Sequence, residues 1–182
     1  MNNQKSYNVL FLCTGNSARS IFAEAVLNRM DSHHFTGYSA GGHPSGEIHP
    51  CTADLRRSPN YKLDHIRSKD WDDFFAEDDP NIDFIVTVCD DAAGEVCPIW
   101  PRQTATAHSP FPNPTAFIST EAGHRAFFAK VYGMIEQRID IFINTPTASL
   151  NKLVLKQRLD DIGQDSMVSV KNNNQIKNYG KF

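Results

Sequence analysis

Apolar residues come in short continuous runs separated by loop-forming clusters, a rhythm that predicts alternating strands and helices. Tyr7 to Leu12 reads Tyr-Asn-Val-Leu-Phe-Leu, the length of a strand. Cys13 to Ser20 follows with the glycine, asparagine and serine of a tight loop. From Ala18 the apolar positions Ile21, Phe22, Ala25, Val26 and Met30 fall on one side of a helix that closes at Asp31 and Ser32. Phe35 to Ala40 predicts a second strand, and Gly41-Gly42 with Pro44-Ser45-Gly46 predicts a loop before a helix starting near Pro50.

Ser68 to Phe75 carries a cap-type serine and an acidic first turn, predicting a short helix. Ile82 to Val88 is the β-branched run of a buried parallel strand, and it delivers Cys89 at its end. Thr104 to His108 predicts a fourth, shorter strand, after which Pro110, Pro112 and Pro114 impose an extended path. Ser119 or Thr120 caps a long helix with Phe127, Val131, Ile135, Ile139 and Phe142 along one face. A further helix is expected from Thr147 to Gly163. The pattern gives an α/β fold: one doubly wound sheet of about four parallel strands with flanking helices. Residues 1–163 form that single domain, and 164–182, rich in Asn, Gln and Lys, are expected to be a flexible polar tail.

Composition narrows the function without naming it. The 182 residues are 40% hydrophobic and 21% charged, ordinary for a globular chain. A net charge of -3 offers no global attraction for nucleic acid or an anionic membrane, so an anion must be captured by local geometry. No run is long enough to span a membrane, and Met1 to Tyr7 is too short and polar for a secretory signal, so a cytoplasmic location is expected. A reducing compartment leaves the four cysteines as free thiols and favours metal, catalytic or redox roles for them.

The segment Cys13-Thr14-Gly15-Asn16-Ser17-Ala18-Arg19-Ser20 has the logic of an oxyanion site. A loop running into a helix N-terminus presents backbone N–H groups to a tetrahedral anion, and the helix dipole adds positive charge. Arg19 adds a planar fork of donors. In that field Cys13 is expected to have a depressed pKa and to act as a thiolate nucleophile, with Ser20 hydrogen-bonding it and Asn16 bracing the loop.

This loop, with the Val9-Leu10-Phe11-Leu12 strand before it, the helix after it and Tyr38-Ser39-Ala40-Gly41, resembles the low-molecular-weight protein tyrosine phosphatase family, whose motif is Cys, five residues, Arg, then Ser. The stretch Val88-Cys89-Asp90-Asp91-Ala92-Ala93-Gly94-Glu95-Val96-Cys97-Pro98 is similar to that of the family's arsenate reductase branch. That resemblance implies attack of Cys13 on arsenate, attack of Cys89 on Cys13 with release of arsenite, and closure of a Cys89–Cys97 disulfide. No tightly bound cofactor is implied. The reductant would be thioredoxin, or glutaredoxin with glutathione, and the bound anion arsenate or phosphate. Gly94 would let the loop bring the thiols together.

The family places an aspartate general acid where this chain has Asn113, before Pro114, and an amide cannot take that role. Asp90, Asp91 or the substrate's own protons are the alternatives. The resemblance also implies a polar brace behind the loop from Asn16, Glu24 and Ser39, with Lys69 either substituting for a cation there or forming a surface salt bridge, so no metal is expected. Cys51 reads as packing, and the wide Cys89 to Cys97 spacing argues against zinc. His43, His49 and His108 lie near loops that could face the site, with solvent-exposed or structural roles favoured for each. Two other functions stay open at this point: a phosphotyrosine phosphatase working through a Cys13 phosphoenzyme, and a catalytically weak oxyanion- or phosphoprotein-binding module.

Overall fold

A computed structural model describes residues 6–54, 66–75, 79–89 and 104–144. Its centre is a sheet of four parallel strands: β1 (Tyr7–Leu12), β2 (Phe35–Ala40), β3 (Phe84–Thr87) and β4 (Ala105–His108), in the order β2-β1-β3-β4. Among the described residues the helices are α1 (Arg19–Met30), the short α2 (Pro50–Ala53) and the long α3 (Glu121–Ile143), with a 3-10 turn at Trp71–Phe74.

The strands form where side chains on both faces can be buried. Along β1, Val9 and Phe11 enter a core with Phe84 and Val86 of β3 and with Phe22, Val26, Phe128, Val131, Ile135 and Phe142 of α1 and α3. The alternate residues Leu10 and Leu12 pack on the other face with Ala40, Ile85 and Phe74. This two-sided burial is why the strand is an unbroken apolar run. Helix α1 was expected to show one apolar face, yet every residue from Ser20 to Leu27 is buried, because Ile21 and Ala25 meet Ile66 on the side away from the main core.

Three other expectations need correction. Ser68 does not cap a helix: Asp70 does, accepting from Asp72 N–H, and only the 3-10 turn follows. On α3, Phe128 rather than Phe127 enters the core, and Phe127 stacks on Phe117 at 4.2 Å. Strands β3 and β4 are each shorter than their apolar runs. Thr120 caps α3, its hydroxyl accepting from Gly123 N–H. The helix expected over 147–163, the tail over 164–182, and Asp90, Asp91, Gly94 and Cys97 lie outside the described residues. None of the described helices is long and apolar enough to cross a membrane.

The chain winds outward from β1 to β2, then returns past β1 to β3 and β4. Such a reversal leaves a crevice beyond the carboxyl ends of the two central strands, the usual ligand position in open α/β sheets. The register aligns those ends: Leu12 pairs with Ala40 and Thr87, and Thr87 with His108. Cys13, Gly41, Val88 and Ser109 therefore leave the sheet at one level, and Cys13 and Cys89 flank the crevice.

Candidate active site

The loop from Cys13 to Ala18 is held from outside by its carbonyls. Thr14, Gly15 and Ser17 oxygens accept from the N–H groups of His43, Ser45 and His49 at 2.9, 2.9 and 3.0 Å. In a trans peptide the carbonyl and the next N–H point opposite ways, so outward carbonyls turn the following amides inward. Asn16 N–H, which follows the outward Gly15 carbonyl, lies 3.2 Å from Cys13 Sγ. Ala18 gives α1 no side-chain cap, so no side chain closes off the amides of the first turn.

Beneath the loop sits Gly41. A Cβ there would stand 2.5 Å from the Thr14 carbonyl oxygen and 2.9 Å from that of Cys13, so only glycine permits this approach. Gly41 also forms an isolated bridge with Asp70, Gly41 N–H donating to Lys69 O at 2.9 Å and Trp71 N–H to Gly41 O at 3.1 Å.

Asn16 is fully buried at φ 40°, the left-handed region that asparagine tolerates better than most residues. The Lys69 backbone N–H donates to its Oδ1 at 2.7 Å, and its Nδ2 donates to Ser20 Oγ at 2.9 Å. Ser20 Oγ in turn lies 2.9 Å from Cys13 Sγ. Behind this chain, Lys69 Nζ sits 3.1 Å from Glu24 Oε2, which also accepts from Ser39 Oγ. Both ionic side chains are more than nine-tenths buried, so the alternative of a surface salt bridge is set aside.

Cys13 is only 4% exposed. Burial pushes its thiol pKa up, the hydrogen bond from Ser20 pulls it down, Cys89 adds to the rise, and Arg19 opposes it; the balance is upward. The expectation of a depressed value is corrected: desolvation of the thiolate outweighs the local positive field.

Arg19 Nη1 donates to the Phe111 carbonyl at 3.2 Å, bringing the segment after β4 against the loop. Two residues on, Asn113 is exposed, and its Oδ1 accepts from the N–H and hydroxyl of Thr115 at 3.2 and 2.8 Å. It is a turn former by these contacts. The ring of His124 donates from Nε2 to the Pro114 carbonyl at 3.2 Å.

Cys89 is fully buried, with Sγ 3.8 Å from Thr14 Oγ1. Cys51 is half-buried against the main core. His49 stacks on Phe128 at 4.5 Å and accepts from Cys51 N–H, while His108 Nδ1 pairs with Thr87 Oγ1 at 2.8 Å. The structure thus gathers Cys13, Thr14, Asn16, Arg19, Ser20 and Cys89. Sequence reasoning missed Gly41 as the floor of the loop and Arg138 as a contact of residues 109–111. Arg138 does leave a signal, an arginine set within the apolar stripe of Val131, Ile135, Ile139 and Phe142.

With this geometry in hand, likeness to known proteins is informative. A family model described as low molecular weight phosphotyrosine protein phosphatase matches residues 8–155. An arsenate reductase of Bacillus licheniformis is 32% identical over 137 residues, which make up 75% of this chain and 95% of that one. The crystal structure of an arsenate reductase from Archaeoglobus fulgidus superposes with a TM-score of 0.51 at 26% identity, covering 72% of this chain and 98% of that one. A tyrosine phosphatase of Erwinia amylovora superposes with a TM-score of 0.60 at 18% identity over 81% of this chain and 97% of that one, a likeness of fold.

Proposed function

The chain belongs to the low molecular weight phosphotyrosine protein phosphatase family, and from that premise we propose that it reduces arsenate to arsenite by thiol chemistry. The observation that carries this reading is Cys89, whose Sγ lies 3.8 Å from the side chain of Thr14, the residue after the nucleophile. A hydrolase of phosphate esters has no use for a second thiol there, whereas a reductase requires one.

Arsenate binds in the loop of Thr14, Gly15, Asn16, Ser17 and Ala18, with its oxygens on the inward amides of Gly15, Asn16 and Ala18 and on the Arg19 fork. Cys13 Sγ attacks arsenic, forming an S–As bond as the As–O bond to the leaving oxygen breaks. A buried thiol of raised pKa brings its own proton to the complex. Ser20, within hydrogen-bond reach of Sγ, passes that proton toward the substrate, so the departing oxygen leaves as water or hydroxide without an acid at Asn113. Asn16 keeps the Ser20 hydroxyl in place, since its Nδ2 occupies one acceptor site of that oxygen.

Cys89 thiolate then attacks Cys13 Sγ. The S–S bond forms, the S–As bond breaks with its electron pair going to arsenic, and arsenite departs with arsenic reduced by two electrons. With Cys13 4% exposed and Cys89 fully buried, an internal thiol reaches this adduct before an external one. Cys97 next attacks Cys89, freeing Cys13 as a thiolate, and the Cys89–Cys97 disulfide is reduced by an external thiol carrier, thioredoxin or glutaredoxin with glutathione. No resident metal or tightly bound cofactor enters any step. A cytoplasmic setting, where such carriers keep thiols reduced, suits this cycle.

The test is Cys89→Ser assayed with arsenate and with an aryl phosphate. Arsenate turnover falls below detection while any ester hydrolysis persists. Undiminished multiple turnover of arsenate without that thiol would sink the relay.

A further inference from the structure

An arginine on the inner face of a helix is costly, and Arg138 is 7% exposed amid Val131, Ile135, Ile139 and Phe142. Burial lowers its pKa to about 10, which leaves it charged at neutral pH. A charge so placed persists when its partners are good. Three of them are consecutive residues: Nη1 donates to Ser109 Oγ at 2.8 Å and to the Pro110 carbonyl at 3.1 Å, and the guanidinium carbon lies 4.1 Å from the centre of the Phe111 ring.

Two of the three, Ser109 and Phe111, are also bonded to the chain at the end of β3. Ser109 N–H donates to Thr87 O at 2.9 Å and Phe111 N–H to Val88 O at 3.1 Å. Proline at 110 has no N–H to add, so the side-chain bonds of Arg138 supply what the backbone there does not. The segment then offers the Phe111 carbonyl to Arg19 Nη1 at 3.2 Å. Resting on the reading of Arg19 as the oxyanion-binding arginine, we infer that Arg138 is a positioning residue for Arg19: by fixing Ser109, Pro110 and Phe111 it sets the carbonyl that holds the Arg19 guanidinium beside the anion loop.

The gain is preorganisation. An arginine whose Nη1 is already tied to a fixed carbonyl has lost part of its rotamer freedom before the anion arrives, and its remaining donors face a narrower set of directions. Without Arg138 that carbonyl drifts.

The experiment is a double-mutant cycle on the full chain, read by titration with inorganic phosphate. Arg138→Met weakens phosphate binding about tenfold, the scale of losing one charge-assisted contact. In the Arg19→Lys background the same change costs less than about twofold, because there is no guanidinium left to position. For arsenate turnover, KM rises about tenfold while kcat stays within about twofold. Melting temperatures of the four proteins report folding, and Arg138→Gln, which keeps a donor for Ser109, replaces Arg138→Met if the latter does not fold. Equal losses in both backgrounds, or no loss in either, overturn the inference. Phosphate capture needs no redox step, so a parent chain that binds phosphate but never reduces arsenate refutes the reductase reading alone. A parent chain that does not bind phosphate overturns both.

Discussion

The backbone N–H of Lys69 donates a 2.7 Å hydrogen bond to Oδ1 of Asn16, fifty-three residues away in sequence. Because a backbone N–H can only donate, this bond fixes which end of the amide faces which way. Nδ2 must point at Ser20, and so toward the hydroxyl that contacts Cys13. One long-range contact thereby sets the hydrogen-bond polarity around the nucleophile.

Removing that amide exposes two separate costs. Asn16→Ala leaves the Lys69 N–H without its acceptor and places at φ 40° a residue that tolerates the left-handed region less well than asparagine, for a loss of about 2–4 kcal/mol of stability. Asn16→Gly loses the same hydrogen bonds but tolerates the backbone, so it should be more stable than the alanine variant by about 1 kcal/mol. Urea unfolding of both proteins checks this. Equal stabilities would show that the left-handed backbone at this position carries no strain.

The raised pKa of Cys13 gives a pH signature. Thiolate absorbance near 240 nm, taken as the difference between the parent and Cys13→Ser, should rise with an inflection above 9.0, the ordinary thiol value. The folded state holds this proton more tightly than the unfolded chain. The group therefore stabilises the fold below the ordinary thiol pKa, and that contribution disappears as pH rises through the folded value. Ser20→Ala, which removes the largest lowering influence, should move the inflection further up. An inflection below 9.0 in the ligand-free protein would contradict the dominance of burial.

What could be read from the chain alone follows from the range over which each feature is determined. The parallel strands were legible because Val9 to Leu12 and Phe84 to Val86 are buried on both faces, which leaves a continuous apolar run in the sequence. Cys13 to Ser20 was legible because an anion loop is a local device. The raised pKa was not, since it depends on burial by distant elements. Gly41 looks like ordinary loop glycine until β2 is aligned with β1, which puts Thr14 O against it. The Lys69–Glu24 pair could be named but not weighed, because charge spacing along a chain does not report burial.

Asn113 offers a test of proton supply. Its Oδ1 accepts twice from Thr115, and an aspartate oxygen accepts equally well, so Asn113→Asp should change stability by no more than about 0.5 kcal/mol. Aryl phosphate hydrolysis, whose leaving group needs a proton, should rise by about 10²-fold or more. Arsenate reduction, whose proton arrives with Cys13, should change by less than about threefold. Parallel assays of the two reactions decide it: if both rates stay put, position 113 has no part in proton transfer, and if both rise together, the thiol proton is not the source.

The ion pair behind the loop makes the last prediction. Lys69 and Glu24 side chains are 9% and 2% exposed, with Nζ to Oε2 at 3.1 Å, so the pair is desolvated and little screened. Lys69→Met strands the Glu24 carboxylate with Ser39 Oγ as its remaining side-chain donor, and should cost about 3–5 kcal/mol. Adding Glu24→Gln removes the stranded charge and keeps an acceptor for Ser39, so the double variant should recover most of that loss. Oxyanion affinity should follow stability, because the Lys69 backbone that the ion pair anchors is the one that orients Asn16. Salt separates this from a surface pair: raising ionic strength from 0.01 to 1 M shortens the screening length from about 30 to about 3 Å, yet should leave the melting difference between parent and Lys69→Met nearly unchanged. A difference that collapses in high salt would mean that the pair is open to solvent and that Asn16 is held by its backbone bond alone.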